Sequence, residues 1–252
     1  MFNLADHVRH SFAGMLVFSD VHADFESFMR AHDYARTHNL FFMSLGDLVD
    51  RGPFPFETVH KMYLIVDDGQ GGLTIGNHDD KFRRYANGAK VKFSVDAKRT
   101  LADVGPEREA DFLLYYKTLV ETPVYSGYYH SFGDIILTHA AYHESMCYGT
   151  KFGDSAKSRA LYGEVTGEIY EDGYPVRYYG WIDEVPMGRT VIVGHDRMPF
   201  NKVSEFPVMK SNKNGGKVVF LDTGCGKGGY LSAAVVKCKD GKFFIEEIVG
   251  FK

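Results

Sequence analysis

The order of apolar runs along the chain predicts an α/β fold in which two packed sheets are flanked by helices. Three observations carry that expectation. Strand-like runs alternate with helical spacing through residue 79, further short apolar runs recur from 134 to 249, and most of these runs end in polar residues at the same end. The first pattern is that of βαβ units and a largely parallel sheet.

Residues 14–19 read as a strand ending at Asp20. Phe25, Phe28, Met29 and His32 then recur at helical spacing. Residues 39–44 form a second strand that ends at Gly46 and Asp47. A helix starting near Pro55 carries Phe56, Val59, Tyr63 and Val66 on one side, and GGLTIGN (71–77) is a third strand. Gly105 and Pro106 ahead of EREADFLLYYKTL mark a further helix start. DIILTHA (134–140), TVIVGH (190–195), KVVFLDTG (217–224), YLSAAVVKC and KFFIEEIV read as strands, and the Lys239, Asp240, Gly241 corner makes the last two a hairpin. The stretch from 140 to 189 is too long for a bare connection and implies function or hidden short elements. No repeat or linker divides the chain, so a single domain over 1–252 is expected.

Composition sets limits on function. An apolar fraction of 44% with 15% aromatic residues supports a large core, and no run approaches the length of a membrane span. The short apolar run before Asp20 is followed by no cleavage site, and three cysteines fit no structural zinc motif. A reduced, cytoplasmic setting is the expectation. A net charge of −4 argues against a stable nucleic-acid complex. Residues 81–99 nevertheless hold seven basic side chains against one acid, Asp96, which is either a solvated face or a surface steering an anionic substrate.

The polar residues at the strand ends are the informative ones. Asp20 and His22, Asp47, Asn77 and His78, His139, His195 and Asp222 each follow a different run. Ligands of open α/β sheets bind outside the carboxyl ends of strands. SLGDLVDRG (44–52) taken alone is also a good surface turn, since Gly and Asp favour turns. Several aspartates and histidines converging without a cation, however, would repel or dehydrate one another. Carboxylate, imidazole and carboxamide donors without thiolate suit Mn, with Ni, Fe, Zn or Mg as alternatives. The donors are too many for one ion, and two ions sharing a carboxylate support phosphoryl transfer.

Asp20-x-His22, GDLVDRG at 46–52, GNHD at 76–79, His139 in LTHA and the Gly194, His195 pair resemble the pattern of calcineurin-like metallophosphoesterases in order and content, from residue 17 to about 224. The resemblance implies an α-β-β-α sandwich of two mixed sheets and a metal-dependent phosphoric ester hydrolase. It implies two divalent metal ions, the first held by Asp20, His22 and Asp47 with Asp222 added, the second by Asp47, Asn77, His139 and His195. It further implies His78 as general acid oriented by Asp50 and Arg51 as a bidentate phosphate clamp; Asn77, and Arg83 within the basic run, are expected as further phosphate contacts.

SRALYGEVTGEIYEDGYPVRYYGW (158–181), GNHDDKFRRY and LDTGCGKGGYLSA resemble the phosphatase domain of bacterial polynucleotide kinase–phosphatases. That likeness implies a phosphate-ester substrate at RNA ends or on nucleotides: a 2′-phosphate, a 3′-phosphate or a 2′,3′-cyclic phosphate. The kinase and ligase signatures are absent. Tyr162, Tyr170, Tyr174, Tyr178 and Tyr179 suit base stacking or a packing rim equally. A protein phosphatase, a symmetrical dinucleoside tetraphosphate hydrolase and a non-catalytic interaction module are the competing readings.

Overall fold

Apolar runs bounded by turn residues become strands covered on both faces. In the computed structural model, which describes residues 3–148, 151–171, 173–197, 199–201 and 205–252, β1 (Gly14–Phe18), β2 (Leu40–Ser44) and β3 (Gly71–Thr74) are buried along their whole length. Burial on both faces is why these segments do not alternate apolar with polar residues. The three run parallel, with Phe18 level with Ser44 and Ser44 level with Leu73. α1 (Leu4–Ser11), absent from the sequence expectation, precedes them. α2 (Phe25–Thr37), capped by the Asp24 carboxylate, and α3 (Pro55–Asp67), opened by its proline, are the crossovers.

α4 (Asn77–Ala86), α5 (Val95–Val104) and α6 (Glu109–Glu121) follow, then β4 (Ser126–Gly127), β5 (Tyr129–Phe132) and β6 (Ile135–Thr138). The long 140–189 stretch holds α7 (Ser145–Tyr148), α8 (Asp154–Tyr162) and an exposed two-stranded ribbon, β7 (Glu164–Ile169) with β8 (Pro175–Tyr178). The chain finishes through β9 (Thr190–Val193), β10 (Val208–Ser211), β11 (Lys217–Phe220), β12 (Leu231–Lys239) and β13 (Lys242–Phe251). β12 and β13 form the expected hairpin. Asp240 and Gly241 both take positive φ, 51° and 78°, the twist that a two-residue hairpin turn requires.

The first sheet runs β13-β12-β1-β2-β3-β4 and the second β10-β11-β9-β6-β5. β1 to β4 are mutually parallel, as are β6, β9 and β11, while the remaining neighbours are antiparallel. Because strand side chains alternate between faces, each sheet feeds two interfaces. Leu16, Phe18 and Phe42 pack against Phe28, Met62 and Tyr116 of the helices. Met15, Val17 and Met43 meet Leu137, Ile192 and Val219 of the other sheet. Ile136, Val191 and Val218 turn outward to Tyr142, Ala160 and Trp181. The molecule is therefore helix, sheet, sheet, helix, as the sequence predicts.

The strands end earlier than their apolar runs. Runs read as strands to residues 19, 77, 140, 195 and 224 stop at Phe18, Thr74, Thr138, Val193 and Phe220. The residues beyond leave the ladder to form inward-turning loops, and Asn77 opens α4 instead of closing β3.

Candidate active site

The parallel strands of both sheets present their carboxyl ends to one side, and the residues just past them converge there. Their backbone is unusual. His22, Asp47, Asp50, Arg51 and His195 have φ between 47° and 72°, a region that disfavours side chains other than glycine. Such strain persists only where the surroundings fix it, and it concentrates at functional sites. Here it shapes the loops after β1, β2 and β9, which bring His22, Asp47 and His195 to a shared centre.

Two sets of donors meet in that centre. Ligand atoms of Asp20, His22 and Asp47 lie within 4.8 Å of one another, as do those of Asp47, His139 and His195. Asp47 belongs to both. Each aspartate uses one oxygen as an anchor: Oδ1 of Asp20 accepts the His195 backbone N–H at 2.8 Å, and Oδ1 of Asp47 accepts that of His78 at 2.9 Å. The other oxygens face inward, Asp20 Oδ2 3.7 Å from His22 Nε2 and Asp47 Oδ2 3.5 Å from His139 Nε2. Asn77 Oδ1 is 3.1 Å from the same His139 nitrogen.

Second partners fix the imidazole tautomers. Nδ1 of His22 lies 2.9 Å from the Val49 carbonyl, and Nδ1 of His139 2.8 Å from that of Leu45. A carbonyl only accepts, so both Nδ1 atoms carry the proton and both Nε2 lone pairs face the centre. Glycines make room for the carboxylates. A Cβ on Gly194 or on Gly76 would lie 2.2 Å from Oδ1 of Asp20 or Asp47, respectively.

The electrostatics fit a cation. Burial, with Asp222 and Asp47 nearby, pushes the Asp20 carboxyl well above the usual range, and burial raises Asp222 as well. Burial, then Arg51 and His139 respectively, pushes His22 and His195 well below theirs. Burial alone would raise Asp47, but the surrounding imidazoles outweigh it and hold it low. His195 Nδ1 sits 3.0 Å from the bare His139 Nε2, and its own Nε2 is buried without a hydrogen-bond partner. Imidazole nitrogens and carboxylate oxygens set this close suit hard-to-borderline divalent ions.

Beside the donors, His78 Nδ1 is hydrogen-bonded to Asp50 Oδ2, and Thr100 donates to Asp50 Oδ1 at 2.6 Å. Burial would lower the His78 pKa, but Asp47 and Asp50 outweigh it and the net shift is upward. The Arg51 guanidinium lies against Nε2 of His22, with Asp96 3.8 Å from its Nε. Arg83 departs from expectation. Its guanidinium is held by Asp80, at 2.8 Å from Nη2, because the two sit one helical turn apart on α4.

Asp79, Tyr116 and Thr100 carry no mark in the sequence that gives their role. Fully buried, Asp79 accepts from the backbone N–H of Asp47 at 2.7 Å, Leu48 at 3.2 Å and Gly76 at 2.8 Å, and from the Tyr116 hydroxyl. It ties the loop bearing Asp47 to the start of α4. Its place in GNHD was the only available signal. Among the tyrosines of 162–179, Tyr162, Tyr174 and Tyr178 are exposed, whereas Tyr179 packs on Phe200 and donates to Asp196 at 2.6 Å.

The profile of the calcineurin-like phosphoesterase family matches residues 15–220. The chain belongs to this family. It is a metal-binding phosphoric ester hydrolase with the family's fold, and the sequence expectation at that level is borne out. It is 27% identical over 232 residues to the asymmetrical bis(5′-nucleosyl)-tetraphosphatase PrpE of Halalkalibacterium halodurans, covering 86% of this chain and 87% of that one. With the protein of the same name from Bacillus subtilis it shares 28% over 191 residues, 74% and 72% of the two chains. A metallophosphoesterase structure from Sphaerobacter thermophilus superposes with a TM-score of 0.50 at 17% identity over 94% of this chain and 89% of that one, a likeness of fold. These relatives correct the finer expectation of kinship with polynucleotide kinase–phosphatases. Two of the motifs behind that expectation, GNHDDKFRRY and LDTGCGKGGYLSA, begin beside the donor centre of the family's shared fold. The described residues of the third, 158–181, form the end of α8, the two strands of the ribbon and the start of a 3₁₀ turn. Among the described residues no helix is long and apolar enough to cross a membrane.

Proposed function

We propose that this enzyme is a binuclear phosphoesterase that hydrolyses dinucleoside polyphosphates, with a bis(5′-nucleosyl) tetraphosphate as its reference substrate. The sharing of Asp47 between two donor triads carries the binuclear reading. The names of the relatives, at 27–28% identity, support the substrate class.

In this reading Asp20, His22, Asp47 and Asp222 hold one divalent ion, and Asp47, Asn77, His139 and His195 the other. Manganese is the first choice, with nickel, iron, zinc or magnesium as alternatives. A bound pair supplies Lewis-acid polarisation of the phosphoryl oxygens and lowers the pKa of the attacking water. The chain supplies the rest. Arg51 swings from His22 onto a phosphoryl oxygen, and Asn77 holds the same group in place. A P–O bond forms to the water oxygen as the bridging P–O bond breaks. His78, protonated and oriented by Asp50, donates from Nε2 to the departing oxygen. Arg83, paired with Asp80, has no part in this scheme. Three free cysteines, Cys147, Cys225 and Cys238, accord with a cytoplasmic setting.

The test is a substrate panel with manganese: diadenosine tetraphosphate, an RNA 2′,3′-cyclic phosphate, 2′-AMP and a phosphopeptide. The tetraphosphate should have the highest kcat/KM. Products of ATP and AMP would match the asymmetrical cleavage in the relatives' names, and two ADP the symmetrical alternative. A tenfold preference for the RNA end or the phosphopeptide would overturn the proposal.

A further inference from the structure

Past Asp222 the chain runs through TGCGKGGY, residues 223–230, in which Gly224, Gly226 and Gly228 take φ of 80°, 72° and 87°. These glycines coil the loop back onto the centre, and a Cβ at Gly226 would lie 2.6 Å from Cβ of His22. The coil brings the half-buried Lys227 within electrostatic reach of Arg51, Arg197 and Asp222. Arg197 lies along the same loop, its Cδ 3.8 Å from the position a Cβ on Gly224 would take. Among the described residues, neither Lys227 nor Arg197 has a side-chain hydrogen bond or an ion pair.

Lys227 and Arg197 also line a cavity of about 490 Å³, whose wall includes Lys252, Thr223, Tyr230 and one carboxylate, Glu205, so that three cations face a single acid. That volume is in the range of small-molecule sites. Arg51 and Arg197 repel Lys227, Asp222 offsets part of that repulsion, and an anion lying among these three cations would remove the rest. In the proposed scheme Arg51 and Asn77 hold the reacting phosphate, and neither Lys227 nor Arg197 has a part in it.

We infer that Lys227 and Arg197 continue from Arg51 as a cationic track for the phosphates of a polyphosphate ester that do not react, with the cavity beyond receiving the nucleoside attached to them. Tyr230 offers an aromatic wall to the base. This assignment rests on the proposed function for the identity of the ester, and the track itself is tested separately.

Lys227→Ala, Arg197→Ala and Lys227→Arg are compared on diadenosine tetraphosphate and on p-nitrophenyl phosphate. Inorganic tripolyphosphate serves as a competitor of the aryl substrate at fixed free manganese. Each alanine variant should lower kcat/KM for the tetraphosphate about 10- to 100-fold, chiefly through KM, as expected for one charge-assisted contact. The aryl phosphate should lose less than about threefold, tripolyphosphate should inhibit at least about tenfold more weakly, and Lys227→Arg should recover most of the loss. Equal losses on both substrates, or unchanged inhibition by tripolyphosphate, would overturn the track. A wild-type enzyme inert toward the tetraphosphate would overturn the proposed substrate, and the inhibition by tripolyphosphate would still decide the track.

Discussion

Replacing Gly194 by alanine sets a methyl carbon 2.2 Å from Oδ1 of Asp20, about 1 Å closer than such atoms approach. Two movements could relieve this, and each disturbs a donor set. If the carboxylate retreats, it loses the 2.8 Å hydrogen bond from the His195 N–H and leaves the triad with His22 and Asp47. If the backbone retreats, His195 goes with it and leaves the triad with Asp47 and His139. A hydrogen bond to a charged group contributes about 1.5–3 kcal/mol. Manganese affinity should therefore fall about 10- to 100-fold at one position or both. Calorimetric titration with manganese reads this directly, and circular dichroism checks that the variant is folded. Gly153→Ala is the control, because its φ is −92° and a Cβ there meets nothing within 4 Å. If Gly194→Ala bound manganese with the stoichiometry and affinity of the control, the claim that glycine makes room for the Asp20 carboxylate would fail.

His78→Ala should leave manganese stoichiometry unchanged and lower kcat by about 10²–10⁴ for substrates with poor leaving groups, and much less for p-nitrophenyl phosphate; uniform loss would contradict an acid role. Asp50→Asn removes one of the carboxylates that raise the His78 pKa, so the protonated acid should disappear at lower pH. The alkaline limb of the kcat/KM profile should then move down by about one unit, and an upward move would contradict the assignment. His130 on β5 is held at about 4 by burial, so the unfolded chain takes up its proton first as pH falls. Stability should decline from about pH 6.5 and level off near pH 4, by about 1–3 kcal/mol for this partly exposed ring, and urea midpoints of His130→Gln should depend less on pH. Manganese at 100 times its Kd contributes about 2.7 kcal/mol and should raise Tm by about 5–10 °C over chelated protein. Unchanged melting would count against the donor sets as an ion site.

The centre was legible in the sequence because its residues follow apolar runs directly. Once β1 and β2 are parallel, Asp20 and Asp47 fall at one end of their sheet, and with β6, β9 and β11 parallel, His139, His195 and Asp222 fall at one end of theirs. Asp79 was not legible in the same way. Its partners Asp47 and Leu48 are more than 30 positions away in the chain, and its neighbour Asp80 has the same chemistry but binds Arg83 and Tyr128 instead. Arg83 misled for the converse reason: a basic residue after GNHDD suggests a phosphate contact, but an aspartate one turn earlier claims it. α1 escaped notice because its one fully buried residue, Val8, leaves almost no apolar face to recognise. The ribbon within 140–189 is exposed along most of β7, so burial imposes no alternation on its sequence.

The left-handed residues explain how firmly the two halves of the site are held. At about 1–2 kcal/mol each, five of them cost as much as the whole net stability of many domains. Backbone hydrogen bonds between the loops offset that cost: His22 N–H to Asp47 O, Gly52 N–H to His22 O, Gly194 N–H to His139 O and Leu221 N–H to Val193 O, all between 2.8 and 3.0 Å. Each loop is thus locked by its neighbours, and the donor triads they carry are prearranged, buried except for the half-buried His195. Arg51, Lys227 and Arg197 are half-buried at the margin of this block, Arg51 against Nε2 of His22 and the other two, among the described residues, bonded to no donor. In the proposed reading, changes among them would alter which phosphate ester fits and leave the two donor triads in place. For that reason GDLVDRG and GNHD report how phosphate is handled and leave the rest of the substrate to residues outside the motifs.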